Sequence, residues 1–256
     1  MSKVKEFELL HQQEKPLLIG NVWNVQSAKI FEKMGFQAIG TSSAAIADSL
    51  GYEDGEKIPF EEYFFIIERI AGSVKTPLTV DLEAGYGKDA ETVFKHIKKL
   101  SELGVVGVNL EDSVVKNSVR SLVDQDLFSE KLVDLNKLLQ SENIEMFINV
   151  RCDVFLLDAE DQLNQAKERI VSYQKSGVDG IFLPCICSEN DIIDIIATTD
   201  LPLNVMTIPD LPDYNKLTEM GVKRVSTGNF LYNYSYNKLE EKVQELVQSQ
   251  HFKSIF

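Results

Sequence analysis

The stretch Thr79-Val80-Asp81-Leu82-Glu83-Ala84-Gly85-Tyr86-Gly87 carries the strongest structural signal in this chain. Together with the two residues before it, it begins as a short apolar, β-prone run, which predicts a strand. The strand ends in two carboxylates, Asp81 and Glu83, and side chains two residues apart on a strand point to the same side. Gly85 and Gly87 then end the strand and let the backbone approach whatever the acids hold.

Two adjacent carboxylates at the end of a strand repel each other unless a cation joins them. Mg²⁺ is the expected cation, because it prefers hard oxygen ligands and keeps several waters in its shell. The alternative is that Asp81 and Glu83 are two solvated acids in a turn. The rest of the chain has to distinguish these two interpretations.

Eight predicted strands alternate with predicted helices along the chain. The strands cover residues 16–22, 38–43, 77–80, 106–112, 146–153, 180–184, 203–206 and 224–228. Near-continuous apolar strands that alternate with helices indicate a parallel sheet covered by helices. Eight such units in about 250 residues match the length of a (β/α)₈ barrel. We therefore predict an α/β fold in which residues 1–256 form a single (β/α)₈ barrel domain, and a doubly wound open sheet is the alternative.

Three segments between the predicted strands are a long connection, a helix and a mobile loop according to their sequences. Residues 44–59 are interpreted as a long connection, and residues 129–140 as a helix with Ser129 as its N-cap. Residues 113–125 show little periodicity and contain neither Gly nor Pro. We predict that this last segment is a mobile loop that closes over the site as a lid.

The composition indicates a full hydrophobic core and a strongly acidic protein. Of the 256 residues 44% are hydrophobic, and the formal net charge of −14 argues against nucleic acids and anionic membranes as partners. Three cysteines without metal-like spacing suggest a reducing compartment. The first 15 residues are polar and charged, and no apolar run reaches the roughly 18 residues of a membrane span. The expectation is a cytoplasmic protein.

In a barrel of this kind, functional residues sit at the carboxyl ends of the strands. Those ends offer Thr41, Ser42, Ser43, Asp81, Glu83, Glu111, Asp112, Arg151, Asp153 and Asn204. Several acids, one arginine and a run of hydroxyl residues fit a metal ion together with a small carboxylate or phosphate ligand. Arg151 would grip an oxyanion through two hydrogen bonds. The alternative for Arg151 is a structural ion pair with an acid on a neighbouring strand.

The remaining candidates are weaker. Trp23, at the end of the first strand, either lines the pocket or packs against the fold. His11, His96 and His251 are expected at the surface or in the tail, so histidine is not the expected acid or base. The segment 185–187, Cys-Ile-Cys, lacks partners and is more often a packing element.

Taken together, these motifs resemble the isocitrate lyase and phosphoenolpyruvate mutase superfamily, from Asn21 to about Phe230. The segments that carry the resemblance are 41–44 (Thr-Ser-Ser-Ala), 50–54 (Leu-Gly-Tyr-Glu-Asp), 81–87 (Asp-Leu-Glu-Ala-Gly-Tyr-Gly), 109–113 (Asn-Leu-Glu-Asp-Ser) and 149–153 (Asn-Val-Arg-Cys-Asp). The resemblance implies a (β/α)₈ barrel, often with the eighth helix exchanged between subunits. A homodimer or homotetramer is therefore expected.

The resemblance also implies roles for individual residues. Mg²⁺, with Mn²⁺ as a substitute, would be held largely through water by Asp81, Glu83 and Glu111, and Asp54 matches a further acid near the metal. The segment containing Ser42, Ser43 and Ala44 would bind a substrate carboxylate or phosphonate, and Arg151 matches the substrate-binding arginine. Asp54 and Arg151 are the catalytic candidates. Asp81, Trp23 and Asn204 complete the predicted substrate site.

The departures from the superfamily pattern narrow the expected reaction. Lyases that act on isocitrate or 2-methylisocitrate carry a Lys-Lys/Arg-Cys-Gly-His loop, whereas residues 113–118 here read Ser-Val-Val-Lys-Asn-Ser. The mutases carry a histidine at the end of the sixth strand, where this chain has Pro184. The leading hypothesis is a Mg²⁺-dependent lyase that cleaves a C–C bond of a small α-keto or α-hydroxy acid resembling oxaloacetate, through a metal-stabilised enolate. The alternatives are a phosphonomutase-type enzyme that acts on a P–C bond and a barrel that binds a small acid without turnover.

Overall fold

The computed structural model describes residues 1–255 and contains a closed barrel of eight parallel strands. The barrel strands are β1 (Leu17–Val22), β2 (Ala38–Thr41), β3 (Leu78–Asp81), β4 (Gly107–Glu111), β7 (Phe147–Arg151), β8 (Gly180–Leu183), β9 (Leu203–Met206) and β10 (Arg224–Ser226). Each pairs in parallel with its sequence neighbours in the barrel, and β10 closes the ring onto β1. The predicted (β/α)₈ barrel is confirmed.

Helices alternate with these strands and cover the outside of the barrel. They are α1 (Lys3–Leu10), α2 (Val25–Lys33), α3 (Ser43–Ser49), α4 (Phe60–Ala71), α5 (Ala90–Glu102), α6 (Gln125–Ser141), α7 (Gln162–Lys175), α8 (Glu189–Ile196), α9 (Tyr214–Met220) and α10 (Phe230–Ser249), followed by a 3₁₀ turn at Phe252–Ile255. In the described part of the chain, no helix is long and apolar enough to cross a membrane.

The hydrophobic core has two parts. The larger part lies between the strands and the surrounding helices. The smaller part lies at the amino ends of the strands, where Phe7 of α1 packs edge-on against Phe147 of β7, with ring centroids 5.3 Å apart. Helix α1 therefore closes the amino end of the barrel, and the opposite end stays available for a site.

The segment 113–125, which was predicted to be a mobile loop, has regular structure over most of its length. Strands β5 (Ser113–Lys116) and β6 (Val119–Leu122) form an antiparallel hairpin that pairs with no barrel strand. Asn117 and Ser118 form its turn with φ of 51° and 61°, the conformation that two-residue hairpin turns favour. The turn escaped prediction because it contains no glycine. Whether the hairpin moves as a lid stays a prediction.

Two further boundaries differ from the predictions. Helix α6 begins earlier than expected because Asp124 caps it, accepting hydrogen bonds from the backbone of Asp126 and Leu127 at 3.0 Å each. The predicted cap Ser129 lies inside the helix and donates to Gln125 instead. The predicted connection at residues 44–59 also begins with helix α3, which Ser42 caps.

Candidate active site

A pocket of about 360 Å³ opens at the carboxyl ends of the barrel strands. Its lining includes Ala44 and the polar side chains of Ser42, Ser43, Asp54, Asp81, Asn109, Arg120 and Arg151. Apolar side chains, among them Phe182, Pro184 and Met206, line another part of the wall. The pocket is large enough for a small organic acid and lies where the fold predicts a site.

Asp81 is the last residue of β3 and carries a carboxylate with one free oxygen. Its Oδ2 accepts a hydrogen bond from the Ser43 hydroxyl at 2.7 Å, and its backbone N–H donates to Thr41 Oγ1 at 2.9 Å. Oδ1 is buried and has no hydrogen-bond partner within residues 1–255. Burial raises the pKa of Asp81, although Arg151 and Ser43 act in the opposite direction. A buried carboxylate oxygen without a partner is an oxygen that a cation can use.

Glu83 lies near Asp81 for a reason other than the predicted one. The strand ends at Asp81, and Glu83 follows in the left-handed conformation with φ of 50°, so a turn rather than the alternation of a strand positions it. Its carboxylate accepts hydrogen bonds from the backbone of Glu56 at 2.7 Å and from the Tyr86 hydroxyl at 3.0 Å. Burial, followed by repulsion from nearby acids, raises the pKa of Glu83 to about 8. Glu83 does not line the pocket itself.

Glu111 ends β4 and is held between two guanidinium groups. Its Oε1 contacts Arg120 and its Oε2 lies 3.0 Å from Arg151 Nη1. Burial raises the pKa of Glu111 to about 7 even though both arginines favour the ionised form. Glu111 therefore belongs to the same charge cluster as Asp81 but lies just behind the pocket wall.

Arg151 faces the pocket and is also held by structural ion pairs, one of them with Glu111 on the neighbouring strand β4, so its binding of an oxyanion stays a prediction. It lines the pocket, and it also forms an ion pair with a residue two positions along the chain: Nε lies 2.6 Å from Asp153 Oδ1 and Nη2 3.2 Å from Asp153 Oδ2. Burial alone would lower the pKa of Arg151, but Glu111, Asp153 and Asp81 raise it well above its ordinary value. A fixed positive charge thus faces the pocket.

Arg120 is a site residue that sequence reasoning missed. It lies on β6 of the hairpin, lines the pocket, and donates to Asp54 Oδ2 and Ser113 Oγ at 2.9 Å each, in addition to contacting Glu111. The segment has little hydrophobic alternation, so the adjacent Asn117 and Ser118 were the local signal that could have revealed it: such a pair suits a hairpin turn, and a hairpin returns its second strand over the strand end.

Several predicted residues take other positions. Asp112 points away from the pocket and binds Arg169 at 3.0 Å and the Tyr173 hydroxyl at 2.7 Å. Trp23 packs edge-on against Tyr232, with ring centroids 5.3 Å apart, and is not part of the pocket lining. Asn204 is buried inside the barrel, where it donates to the backbone oxygen of its neighbour Val205 at 2.7 Å. The structure therefore brings neither Trp23 nor Asn204 to the pocket wall.

The predicted carboxyl- and phosphonate-binding segment lies where it was expected. Ser42, Ser43 and Ala44 form the start of helix α3 and line the pocket beside Asp81. The hydroxyl of Ser42 accepts from the backbone of Ala45 at 3.3 Å, so it serves as the helix cap. The hydroxyl of Ser43 is committed to Asp81. The backbone N–H groups of this first helical turn and the O–H of Ser42, which only accepts in the cap, are the groups able to donate to a ligand.

The acids fit a divalent cation in part. Within residues 1–255, no three His, Cys, Asp or Glu side chains converge closely enough to hold a metal ion directly. Nevertheless, Asp81 presents a free buried oxygen, and burial raises the pKa values of Asp81, Glu83 and Glu111. This arrangement fits a cation that Asp81 contacts directly and that the other acids reach through water.

Comparison with known proteins connects this site to a family. The family model for phosphoenolpyruvate phosphomutase matches residues 7–247. A crystal structure from Burkholderia cenocepacia J2315, described as a candidate phosphonomutase, superposes with a TM-score of 0.89 at 34% identity and covers 94% of this chain and 99% of that one.

Two curated sequences are also similar. An uncharacterized protein of Mycobacterium tuberculosis strain H37Rv is 30% identical over 227 residues, which are 89% of this chain and 83% of that protein. An oxaloacetate decarboxylase of Chromohalobacter salexigens is 27% identical over 232 residues, which are 89% of this chain and 79% of that enzyme. The chain therefore belongs to the phosphoenolpyruvate phosphomutase family and is an enzyme of the isocitrate lyase and phosphoenolpyruvate mutase superfamily, as the sequence motifs predicted.

Proposed function

We propose that this enzyme is a divalent-cation-dependent lyase that cleaves a C–C bond of a small α-keto dicarboxylate of the oxaloacetate kind. One observation carries the proposal: the free buried oxygen of Asp81 and the cation of Arg151 line the same small pocket. An acid with one unpartnered oxygen beside a fixed positive charge suits a ligand made of a metal ion and a carboxylate: the oxygen attracts the metal ion, and the arginine attracts the carboxylate. The similarity to an oxaloacetate decarboxylase supports the same class of substrate.

The chain's own residues account for binding and orientation. Asp81 would hold Mg²⁺ or Mn²⁺ directly, with Glu83 and Glu111 reached through water. The cation would stabilise the negative charge that develops on the keto oxygen as the bond breaks. Arg151 would bind one carboxylate of the substrate, and the backbone at Ser43 and Ala44 would bind the other. These contacts hold the bond that breaks in one orientation, which is a large part of the rate advantage of such sites.

An α-keto substrate suits the pocket better than an α-hydroxy substrate. Cleaving an α-hydroxy acid requires a base that removes the hydroxyl proton, whereas decarboxylation needs no base before the bond breaks. The titratable side chains along the described pocket wall are Asp54, Asp81, Arg120 and Arg151, and Asp54 already accepts a hydrogen bond from Arg120. Asp54 remains the candidate that returns a proton to the product.

A phosphonomutase-type reaction is the second candidate, and the similarity to the Burkholderia protein favours it. Pro184 lines the pocket at the position where the mutases carry a histidine, which weighs against transfer of a phosphoryl group. The two reactions are separated by a turnover screen with Mg²⁺ or Mn²⁺ over oxaloacetate, alkylmalates, 2-methylisocitrate, phosphonopyruvate and phosphoenolpyruvate, followed by mass spectrometry of the products.

The metal part of the proposal has its own test. Calorimetric titration with Mn²⁺ should show binding that Asp81→Ala abolishes, while the folded barrel persists by circular dichroism. Equal Mn²⁺ affinity in the parent and in Asp81→Ala would place the metal elsewhere and remove the proposed role of Asp81.

A homodimer or homotetramer is also proposed. Helix α10 exposes Leu239 (55%), Val243 (48%) and Val247 (69%), which are spaced four residues apart and so form one apolar stripe. Sedimentation of the parent and of a variant with Val243→Lys and Val247→Lys tests this proposal. A parent that sediments as a monomer contradicts it.

A further inference from the structure

Arg120 reaches the site from outside the barrel, and its nearest acids are Glu111, Asp54 and, at 3.5 Å, Asp153 Oδ2. It lies on a two-stranded hairpin that pairs with no barrel strand, whereas Arg151 ends barrel strand β7. One of its partners, Asp54, has a side chain that is 44% exposed. An ion pair with an exposed partner is weak, because water competes for both groups. The pair with Asp54 therefore adds little to the position of Arg120, and its departure from the buried carboxylates of Glu111 and Asp153 requires another cation to take its place.

The acids that hold Arg120 are among those predicted for the metal site. Its guanidinium joins Glu111, at the end of β4, to Asp54, in the loop before α4. Glu111 keeps a second cation, Arg151, when Arg120 departs. In the chain without metal, Arg120 thus supplies positive charge to acids that a divalent cation would also attract.

Arg120 is also placed to meet a ligand. Its side chain is 15% exposed and lines the same pocket as Arg151 and Asp81. The loop that carries Asp54 packs directly on the hairpin, because a Cβ on Gly55 would lie only 2.5 Å from Val115. The hairpin and this loop therefore form one side of the pocket mouth, and a shift of Arg120 stays within reach of the pocket.

We propose that Arg120 is a second anion-binding residue that exchanges partners: it holds Glu111 and Asp54 in the metal-free enzyme and an anionic group of the ligand once a divalent cation attracts those acids. The proposal rests on the metal-dependent function proposed above. It adds a specificity determinant, since a substrate with two anionic groups, such as a dicarboxylate or a carboxylate–phosphonate, uses both arginines. A monocarboxylate uses one.

The test compares Arg120→Gln with the parent by calorimetry, first with Mn²⁺ and then with oxalate at saturating Mn²⁺. Removing the competing cation should tighten Mn²⁺ binding several-fold. Removing a charge-assisted contact should weaken oxalate by about tenfold to a hundredfold. Monocarboxylate binding, measured with glyoxylate, should change less than oxalate binding. The matched control is Arg69→Gln, because Arg69 is exposed on α4 and contacts the ring of Phe65.

The outcomes separate this proposal from the function on which it rests. A parent enzyme that binds no Mn²⁺ overturns both. If the parent binds Mn²⁺ and Asp81→Ala does not, but Arg120→Gln leaves Mn²⁺ affinity unchanged or weaker, the exchange of partners is overturned alone. Unchanged oxalate affinity in Arg120→Gln overturns the anion-binding role. Thermal unfolding of each variant confirms that the folded protein is being compared.

Discussion

The two ends of the barrel treat buried charge in opposite ways. At the amino end, His11 is buried, and burial together with Arg224 lowers its pKa to about 3, so the ring is neutral and stacks on Phe147 at 4.5 Å. Arg224 lies beside Phe7, 5.9 Å from the ring centroid, and burial lowers its pKa to about 9. Hydrophobic packing dominates this end.

At the carboxyl end, by contrast, acids outnumber the arginines that hold them. Asp54, Asp81, Glu111 and Asp153 share Arg120 and Arg151, and Glu83 lies beside these acids without an arginine of its own. Buried charge also occurs at the amino end, where Nε and Nη1 of Arg224 have no hydrogen-bond partner within residues 1–255, but of the two ends only the carboxyl end gathers several like charges. Our hypothesis is that the amino end mainly supplies stability and that the carboxyl end keeps repelling acids whose charge a ligand relieves. Stability, ligand binding, pH dependence and proteolysis each test this hypothesis.

The largest effect is expected at the amino end. Phe7→Ala should destabilise the protein by about 3–5 kcal/mol, because the ring is fully buried against Phe147 and its loss leaves a cavity. Urea unfolding measures this change. The control is Leu9→Ala on the same helix, whose side chain is 46% exposed and should cost no more than about 0.5 kcal/mol. If Phe7→Ala remains folded but binds Mn²⁺ more weakly, the amino end does affect the ligand site, and the proposed separation of the two ends is wrong.

Arg151→Lys should act mainly on the ligand. Lysine keeps the charge but cannot form two parallel hydrogen bonds, so oxalate affinity should fall by about 2–3 kcal/mol, roughly a hundredfold. Some loss of stability is also expected, because Asp153 accepts from two nitrogens of Arg151. Calorimetry and thermal unfolding on the same variant distinguish the effects. A lower melting temperature with unchanged oxalate affinity would leave Arg151 a structural residue.

The two ends should respond to pH with opposite signs. Glu83 has a pKa of about 8 in the folded protein, above its unfolded value near 4.3. The folded state then holds the extra proton, and stability falls as the pH rises towards 8. His11 has a pKa of about 3 when folded, below its unfolded value near 6.5. The unfolded state then holds the extra proton, and stability rises as the pH increases from about 3 to the unfolded pKa of His11 near 6.5.

Above pH 6.5 the unfolded chain has lost most of the proton on His11, so between pH 6.5 and 8 the pH dependence of stability comes mainly from the acids at the carboxyl end. The melting temperature of chelator-treated enzyme should fall by about 3–6 °C across this range. Glu83→Gln should flatten the slope, because no proton is then lost, and saturating Mn²⁺ should flatten it as well. If the melting temperature falls equally with pH in the parent and in Glu83→Gln, the titration of Glu83 is not the cause of the pH dependence.

The smallest effect concerns the hairpin as a lid. Trypsin cleavage after Lys116, which is exposed in β5, should slow a few-fold when Mg²⁺ and oxalate are both present, since a closed hairpin is less accessible. Cleavage after Lys253, also exposed and near the end of the described chain, serves as the internal control. Equal rates at Lys116 with and without both ligands would count against a lid.

Local sequence patterns were sufficient to predict the barrel and to identify six residues that line its pocket. Periodicity and glycine positions predicted all eight barrel strands, because each strand is a short buried run and the order of strands in a barrel follows the order in the chain. Strand ends then located Asp81 and Arg151, and the motifs located Asp54 and the segment of Ser42 and Ala44, all at the pocket wall.

Tertiary structure alone decided the contacts between these residues. The turn of Asn117 and Ser118 returns Arg120 over the end of β4, and no local pattern states which acid a guanidinium on a hairpin will meet. Asp112 and Glu111 are adjacent in sequence, yet they face opposite sides because successive residues of a strand alternate. Periodicity describes which residues are buried, but the partner of each buried charge depends on segments far apart in the chain, which only the closed barrel brings together.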